Sequence, residues 1–289
     1  MKPAPFEYSR PKSLDEACAL LRREEGARLI AGGQTLVPFM AMRLARPTRL
    51  VDIARIPGLA YIRDLGESIE IGATTRQCIA ESDALIRAKL PLLAKALPYV
   101  GHGATRARGT IGGSLANADP AAEIALVAVT LGAALIWRDA DKTQQTAAGD
   151  FFLGPMLTAM PTTGCLTAAR FPVWPEPRVG VGFHEINARQ SDFAFVSAAA
   201  QIAVGPDGAI VRAAFGLGAV AAMPLRLANV EQALIGAKQP EAREALRRAL
   251  AGIEPMSDLH ASADYRRRVA VTLGLRAIAD AYRAAAGRA

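Results

Sequence analysis

Residues 101–123 read Gly-His-Gly-Ala-Thr-Arg-Ala-Arg-Gly-Thr-Ile-Gly-Gly-Ser-Leu-Ala-Asn-Ala-Asp-Pro-Ala-Ala-Glu, and no other stretch constrains the chain as much. Gly101, Gly103, Gly109, Gly112 and Gly113 fall among hydroxyl groups at Thr105, Thr110 and Ser114, and Asp119, Pro120 and Glu123 close the segment. Glycine accepts backbone angles that other residues resist and leaves peptide N–H groups uncovered. Such a loop can press its main chain against a phosphate or a flat ring. Pro120 suits the first turn of a helix, Asp119 can cap it, and residues 121–131 are apolar enough to be buried. A helix N-terminus beside a glycine loop is a ready anion site. The plainer alternative is a turn-rich connection whose glycines serve only tight packing.

A second glycine turn lies upstream. Residues 27–31 read as a strand running into Gly32-Gly33-Gln34-Thr35; residues 39–44 read as helical after Pro38, and 49–53 as another strand. This small α/β unit places donors at the C-terminal end of a strand, where α/β sheets hold ligands. Ahead of it, Ser13-x-x-Glu16 is a capping box opening a helix at 13–23. Residues 60–72 read as a hairpin, 74–80 and 84–97 as helices interrupted by Pro91, 133–138 and 164–171 as strands, and the polar 139–148 as a turn or excursion. Pro172, Pro175 and Pro177 mark 173–178 as a linker. Strands at 180–187, 193–204 and 209–215, the last two joined by a Gly205-Pro206-Asp207-Gly208 turn, then precede helices at 229–236, 240–251 and 262–286. Strands followed by helices make an α+β pattern.

Composition narrows the function. A chain of 289 residues exceeds what one core usually organises, and 51% hydrophobic residues with only 6% aromatics imply cores of Ala, Leu, Val and Ile. No run of eighteen apolar residues occurs, and Met1-Lys2-Pro3-Ala4-Pro5 lacks the apolar core of a signal peptide, so no membrane span and a cytoplasmic location are expected. Cys18, Cys78 and Cys165 are too scattered for a disulfide framework, an iron–sulfur cluster or a zinc site, and no His-x-His or Glu-x-x-His pair suggests another metal. The net charge of +7 is dispersed; Arg266-Arg267-Arg268, with Asp264 and Asp280 nearby, reads as a solvated helix face or protein contact rather than a nucleic-acid site. Gly216-x-Gly218-x-x-Ala221 mimics a dinucleotide fingerprint, but Pro224 stops the helix that motif requires. Gly112-Gly113-Ser114-Leu115-Ala116 falls one residue short of a hydrolase elbow, and no P-loop is present. His260 reads as a surface residue, whereas His102 and His184 could border a ligand. Trp137 and Trp174 read as packing, and Asp192-Phe193 as a turn able to lay a ring on a flat cofactor, with core packing the plainer reading.

The paired segments Ala31-Gly32-Gly33-Gln34-Thr35 and Thr110-Ile-Gly-Gly-Ser-Leu-Ala-Asn117-Ala-Asp119-Pro-Ala-Ala-Glu123, with residues 180–194 and Tyr265-Arg266-Arg267-Arg268, resemble the FAD-binding medium subunit of the molybdenum hydroxylase family, which includes carbon monoxide dehydrogenase and xanthine dehydrogenase. The resemblance spans nearly the whole chain. It implies a PCMH-type FAD-binding domain of two subdomains, 1–57 and 58–176, then a C-terminal domain, 177–289, of a three-stranded antiparallel sheet and a helical bundle. Ala31, Gly32, Gly33, Gln34 and Thr35 would offer N–H groups to the pyrophosphate beside Leu36, with Thr110, Gly112, Gly113 and Ser114 joining from the other subdomain, and Gly101 and Thr105 in the same set. Asn117, Asp119 and Glu123 would reach the ribityl or adenosine side, and Leu166 and Thr167 would line the isoalloxazine or adenine region. His184 falls where some relatives carry Lys, and Phe193, after Asp192, where some carry Tyr beside the ring.

The implied role is that of a flavin station without an essential protein acid–base residue. A small subunit with 2Fe-2S clusters and a large molybdopterin-binding subunit would be its partners, as a dimer of heterotrimers. A self-contained FAD-dependent oxidoreductase and a non-catalytic assembly protein are the rival readings.

Overall fold

The computed structural model describes residues 2–238 and 242–287. Its first sheet contains β1 (Glu7–Ser9), β2 (Arg28–Ile30) and β3 (Arg49–Asp52), all parallel, in the order β1-β3-β2. α1 (Leu14–Arg23) joins β1 to β2, and α2 (Leu36–Ala41) joins β2 to β3. Ser13 accepts the Glu16 N–H while Glu16 accepts the Lys12 N–H, so α1 starts with its donors satisfied. Its inner face, Ala17, Cys18 and Leu21, packs with Val51 and Ile53. α2 starts three residues earlier than the sequence suggests, because Pro38 fits inside a first turn, where its missing N–H has no partner to lose.

The chain continues through β4 (Ile62–Asp64) and β5 (Ser68–Gly72) to the helices α3 (Gln77–Ser82), α4 (Ala84–Lys89), α5 (Pro91–Ala96), α6 (Gly103–Arg108), α7 (Ile111–Asn117) and α8 (Glu123–Leu131). β6 (Ala134–Asp139), β7 (Lys142–Ala147), α9 (Ala148–Phe151), a ribbon of β8 (Phe152–Gly154) and β9 (Leu157–Thr158), and β10 (Cys165–Pro172) complete this region. The second sheet is antiparallel, in the order β4-β5-β10-β6-β7. Three expectations change here. Residues 142–147 form an edge strand rather than an excursion, polar because no layer covers it. The central glycine segment is mostly helical, as α6 and α7. α8 begins at Glu123 rather than at residue 121, since Asp119 accepts the Ala121 N–H within a preceding turn and Ala122 takes the cap position.

The third sheet holds three long antiparallel strands, β11 (Val179–Ile186), β12 (Val196–Val204) and β13 (Ile210–Gly218), and a two-residue fourth, β14 (Leu225–Arg226). α10 (Ala228–Leu234), α11 (Arg243–Ala251) and α12 (Ala263–Ala285) follow. Residues 240–241 of the expected second helix lie outside the described residues. Residues 193–195, expected in a strand, belong instead to the loop before β12.

Every residue of β12 and of α8 is buried. Ala198, Ala200 and Ile202 enter the core they share with α12, whereas Ala199 and Ala203 point the other way, into the core around α8. Residues 173–178 link β10 to β11 without regular structure, as expected, and the link is packed: Trp174 is buried with the Arg212 guanidinium 4.3 Å above its ring. Glycine makes the close layers feasible. A Cβ on Gly182 would stand 2.0 Å from Ala277 O of α12, and one on Gly216 would stand 2.1 Å from Thr130 Oγ1 of α8. Gly216 and Gly218, two apart on β13, share the face on which α8 lies. The fingerprint-like spacing at 216–221 thus has a packing explanation. Among the described residues no helix is long and apolar enough to cross a membrane.

Gly182→Val is expected to lower stability by about 3 kcal/mol, since α12 must lift off β11 to admit the side chain. Thermal unfolding checks this, and an unchanged Tm would show that the β11–α12 spacing yields freely.

Candidate functional site

A cleft of about 620 Å³ opens where the β2–α2 turn of the first sheet meets the α6–α7 segment. The two regions touch directly. A Cβ on Gly32 would stand 2.5 Å from Arg108 O and 2.8 Å from Gly109 Cα, so only glycine permits the approach. Gly33 adopts φ +70°, the left-handed region, and turns the chain into α2. Gln34 Nε2 donates to Gly32 O at 3.0 Å and braces the turn. Among the described residues, the N–H groups of Gly32, Gly33, Gln34 and Thr35 donate to no backbone carbonyl. Four donors on a tight turn facing a cleft are an anion-binding arrangement.

The second glycine segment works differently from the open loop expected of it. Thr110 caps α7 by accepting the Gly113 N–H at 3.0 Å, while the Ile111 and Gly112 N–H groups donate to Thr75 O and Ala73 O at 3.0 and 2.9 Å. Those amides are used internally. A Cβ on Gly112 would stand 2.4 Å from Ala73 Cβ, so this glycine docks α7 on the residue following β5. What α7 offers the cleft is a surface stripped of bulk at Gly113, with the Gly112 backbone, Ser114 and Asn117 beside it.

Asp119 and Glu123 line the cleft before and at the start of α8. Burial raises the Asp119 carboxyl above its ordinary range. Glu123, only 8% exposed, is pushed up to about 7, by burial first, with the Asp119 charge adding to it and Arg106 and its own backbone N–H opposing. At the outer edge Phe193 is 69% exposed, next to Asp192, whose carboxylate accepts Arg189 Nε at 3.0 Å.

Of the residues singled out from the sequence for a cofactor, all but Thr167 and His184 line this cleft, Leu36, Gly101, Thr105 and Leu166 included. Thr167 is the extra residue of a β-bulge between Leu166 and Ala168, and its hydroxyl donates to Ile136 O at 2.9 Å within the sheet. His184 lies on the α12 face of β11, with Nε2 2.7 Å from Asp280 Oδ2. His102 also lines the cleft, whereas His260 stacks on Phe195, ring centroids 5.8 Å apart. Phe39, Met156 and Met160 supply apolar wall that no motif announces. Met156 comes from the β8–β9 ribbon, tied by its N–H to Ala118 O at the end of α7, a long-range pairing without a local signal.

Two lobes that close a donor-rich glycine turn over a cleft of this size define a nucleotide-cofactor-binding protein. Residues 4–174 match the family model described as FAD binding domain in molybdopterin dehydrogenase, and residues 182–281 that of the CO dehydrogenase flavoprotein C-terminal domain. The carbon monoxide dehydrogenase medium chain of Afipia carboxidovorans is 35% identical over 96% of this chain and 97% of its own. The nicotine 6-hydroxylase medium subunit of Paenarthrobacter nicotinovorans is 31% identical over 97% and 99%. Among solved structures, quinoline 2-oxidoreductase from Pseudomonas putida 86 superposes with a TM-score of 0.93 at 34% identity, over 99% of this chain and 100% of that one. The chain belongs to the FAD-binding medium subunits of molybdenum hydroxylase complexes; it is an oxidoreductase flavoprotein subunit, and its cofactor is FAD.

The ordinary Glu value of 4.5 applies to Glu123 in the unfolded chain, and the folded value lies higher, at about 7. The folded state therefore binds this proton more tightly. The stability linked to it is fully present below pH 4.5 and is lost as pH rises through about 7. Glu123→Gln is expected to gain Tm relative to the unsubstituted apo-protein as pH rises from about 5 to about 8. Parallel Tm profiles in scanning calorimetry would contradict the assignment.

Proposed function

We propose that this subunit is the electron-transfer station of its complex, taking electrons from 2Fe-2S clusters on a small partner subunit and delivering them through FAD to an external acceptor. A large molybdopterin-binding subunit would complete a heterotrimer, doubled into a dimer of heterotrimers in the cytoplasm. FAD, when bound, supplies the redox chemistry; the protein binds, orients and shields it. In this reading Gly32, Gly33, Gln34 and Thr35 present their N–H groups to the diphosphate between residues 1–57 and 58–176, and Gly113 and Ser114 leave room for it, on a helix that Gly112 docks against Ala73. Asn117, Asp119 and Glu123 set the polar inner wall, Leu166 and the two methionines the apolar one, and Phe193 the outer edge. Residues 177–289 would supply Phe193 and Asp192 and brace α8.

The observation that carries the reading is the contact of Gly32 with Arg108 and Gly109, which turns two distant glycine segments into walls of one cleft. The names of the relatives support the complex: a dehydrogenase medium chain and a hydroxylase medium subunit each belong to a larger assembly. The cleft fits the cofactor by size, by the free donors of the β2–α2 turn and by its mixed polar and apolar walls.

Gly33→Val and Gly113→Val together are expected to abolish FAD retention, the first by forcing a branched side chain into a left-handed turn, the second by meeting Thr110 Oγ1 at 2.7 Å. Flavin absorbance per chain reads the loss, while retained β11–β13 amide protection shows that the C-terminal region stays folded. Full flavin content in the double variant contradicts the site. Co-purification with a molybdopterin chain and an iron–sulfur chain is expected; a flavin-loaded chain that isolates alone and oxidises a small substrate itself would favour a self-contained enzyme.

A further inference from the structure

The run Arg266-Arg267-Arg268 reads from the sequence as a solvated helix face or a protein contact, yet the Arg266 side chain, near the start of α12, is only 3% exposed. Its Nη1 donates to two main-chain carbonyls, that of Phe195 and, at 2.8 Å, that of Ala219, and its Nη2 pairs with Asp258 Oδ2 at 2.6 Å. Nε is buried without a partner. Phe195 and Ala219 lie just past the last pair of the β12–β13 ladder, Ser197 with Gly218, where that ladder offers their carbonyls nothing. Asp258 is fixed in turn, because its Oδ1 accepts the His260 and Ala261 N–H groups at 2.9 and 3.0 Å.

Both carbonyls lead to the cleft. Two residues before Phe195 stands Phe193, on the cleft's edge with Ser191 and Asp192. The Ala219 N–H donates to Pro120 O at 2.8 Å, inside the turn that carries Asp119 and Ala122 onto the cleft wall. Ala219 adopts φ +58°, a left-handed angle that costs a residue with a side chain and persists only where its surroundings impose it. Pro120 on one side and Arg266 on the other impose it here.

Burying a guanidinium this deeply is a poor route to stability, since a well-packed apolar side chain of similar volume often holds helix and sheet together as well. What the guanidinium adds is geometry: a rigid fork that fixes two carbonyls and a carboxylate at once. We propose that Arg266 is a positioning residue for the cofactor: by bonding Phe195 and Ala219 together it sets how far the loop bearing Asp192 and Phe193 stands from the turn bearing Asp119, two walls of the cleft. The inference rests on the cleft being the FAD site. An ammonium at this position keeps a charge for Asp258 but is a point donor on a flexible stem, and does not reproduce the fork.

Fluorescence titration of the apo-protein with FAD tests this in Arg266→Lys, Asp258→Asn, Phe193→Ala and the variant combining the first and third. Arg266→Lys is expected to raise the Kd roughly tenfold, because the two walls are no longer preorganised. Asp258→Asn leaves both carbonyl bonds in place and is expected to change the Kd by no more than about twofold, even where it lowers Tm as much as Arg266→Lys does. A Kd that rises equally in the two variants follows stability alone and overturns the positioning role. In the Phe193→Ala background, Arg266→Lys is expected to raise the Kd by no more than about threefold, since the loop has no ring left to place. The same rise in both backgrounds overturns the proposal. Where Arg266→Lys does not fold, amide exchange of the unsubstituted protein decides: peptides spanning residues 187–195 and 217–221 are expected to open in one step and to slow together when FAD is added, and independent opening overturns the proposal. A protein that binds no FAD refutes the cofactor reading of the cleft, and the positioning role falls with it.

Discussion

The contact between Gly32 and the backbone at Arg108 and Gly109 is the constraint on which the rest of the site depends. Backbone meets backbone there with no room for a Cβ, which fixes the β2–α2 turn relative to α6 and α7. Because the turn's amides are left free and those at the start of α7 are already bonded, the two glycine segments are not equivalent. The first offers donors. The second offers absence of bulk, and the hydrogen bonds to Ala73 and Thr75 hold that surface rigid against the end of β5. Preorganisation of this kind lowers the cost of ordering a loop on binding.

The third sheet extends this rigidity. β12 is buried on both faces, one shared with α12 and the other with α8, so the helix that places Glu123 on the cleft wall is clamped by a sheet from later in the chain. Gly216 and Gly218 bring that sheet close to α8. The C-terminal region thereby contributes to the cleft twice, through the packing of α8 and through the loop bearing Asp192 and Phe193.

Local chemistry made much of this legible. Glycines among hydroxyls, a strand running into Gly32-Gly33, and Ser13-x-x-Glu16 all act within a few residues, and the residues they mark lie on the cleft or cap α1. Features set by distant partners were not legible. Residues 103–117 are poor helix formers by composition, and their helices are held by Ala73, Thr75 and Gln77 from far upstream. The bulge that turns Thr167 into the sheet leaves no mark in spacing, and neither does the strand phase that sends His184 to α12. The polar strand β7 reads as a loop because an uncovered edge needs no apolar face.

The central claim is that one FAD diphosphate bridges two lobes. Amide hydrogen exchange before and after adding FAD to the apo-protein tests it most directly. The account requires peptides spanning residues 31–36 and 110–114 to slow together at matching FAD concentrations, the first by direct bonding and the second by burial. Flavin that binds while only one of these segments, or neither, becomes protected would contradict it.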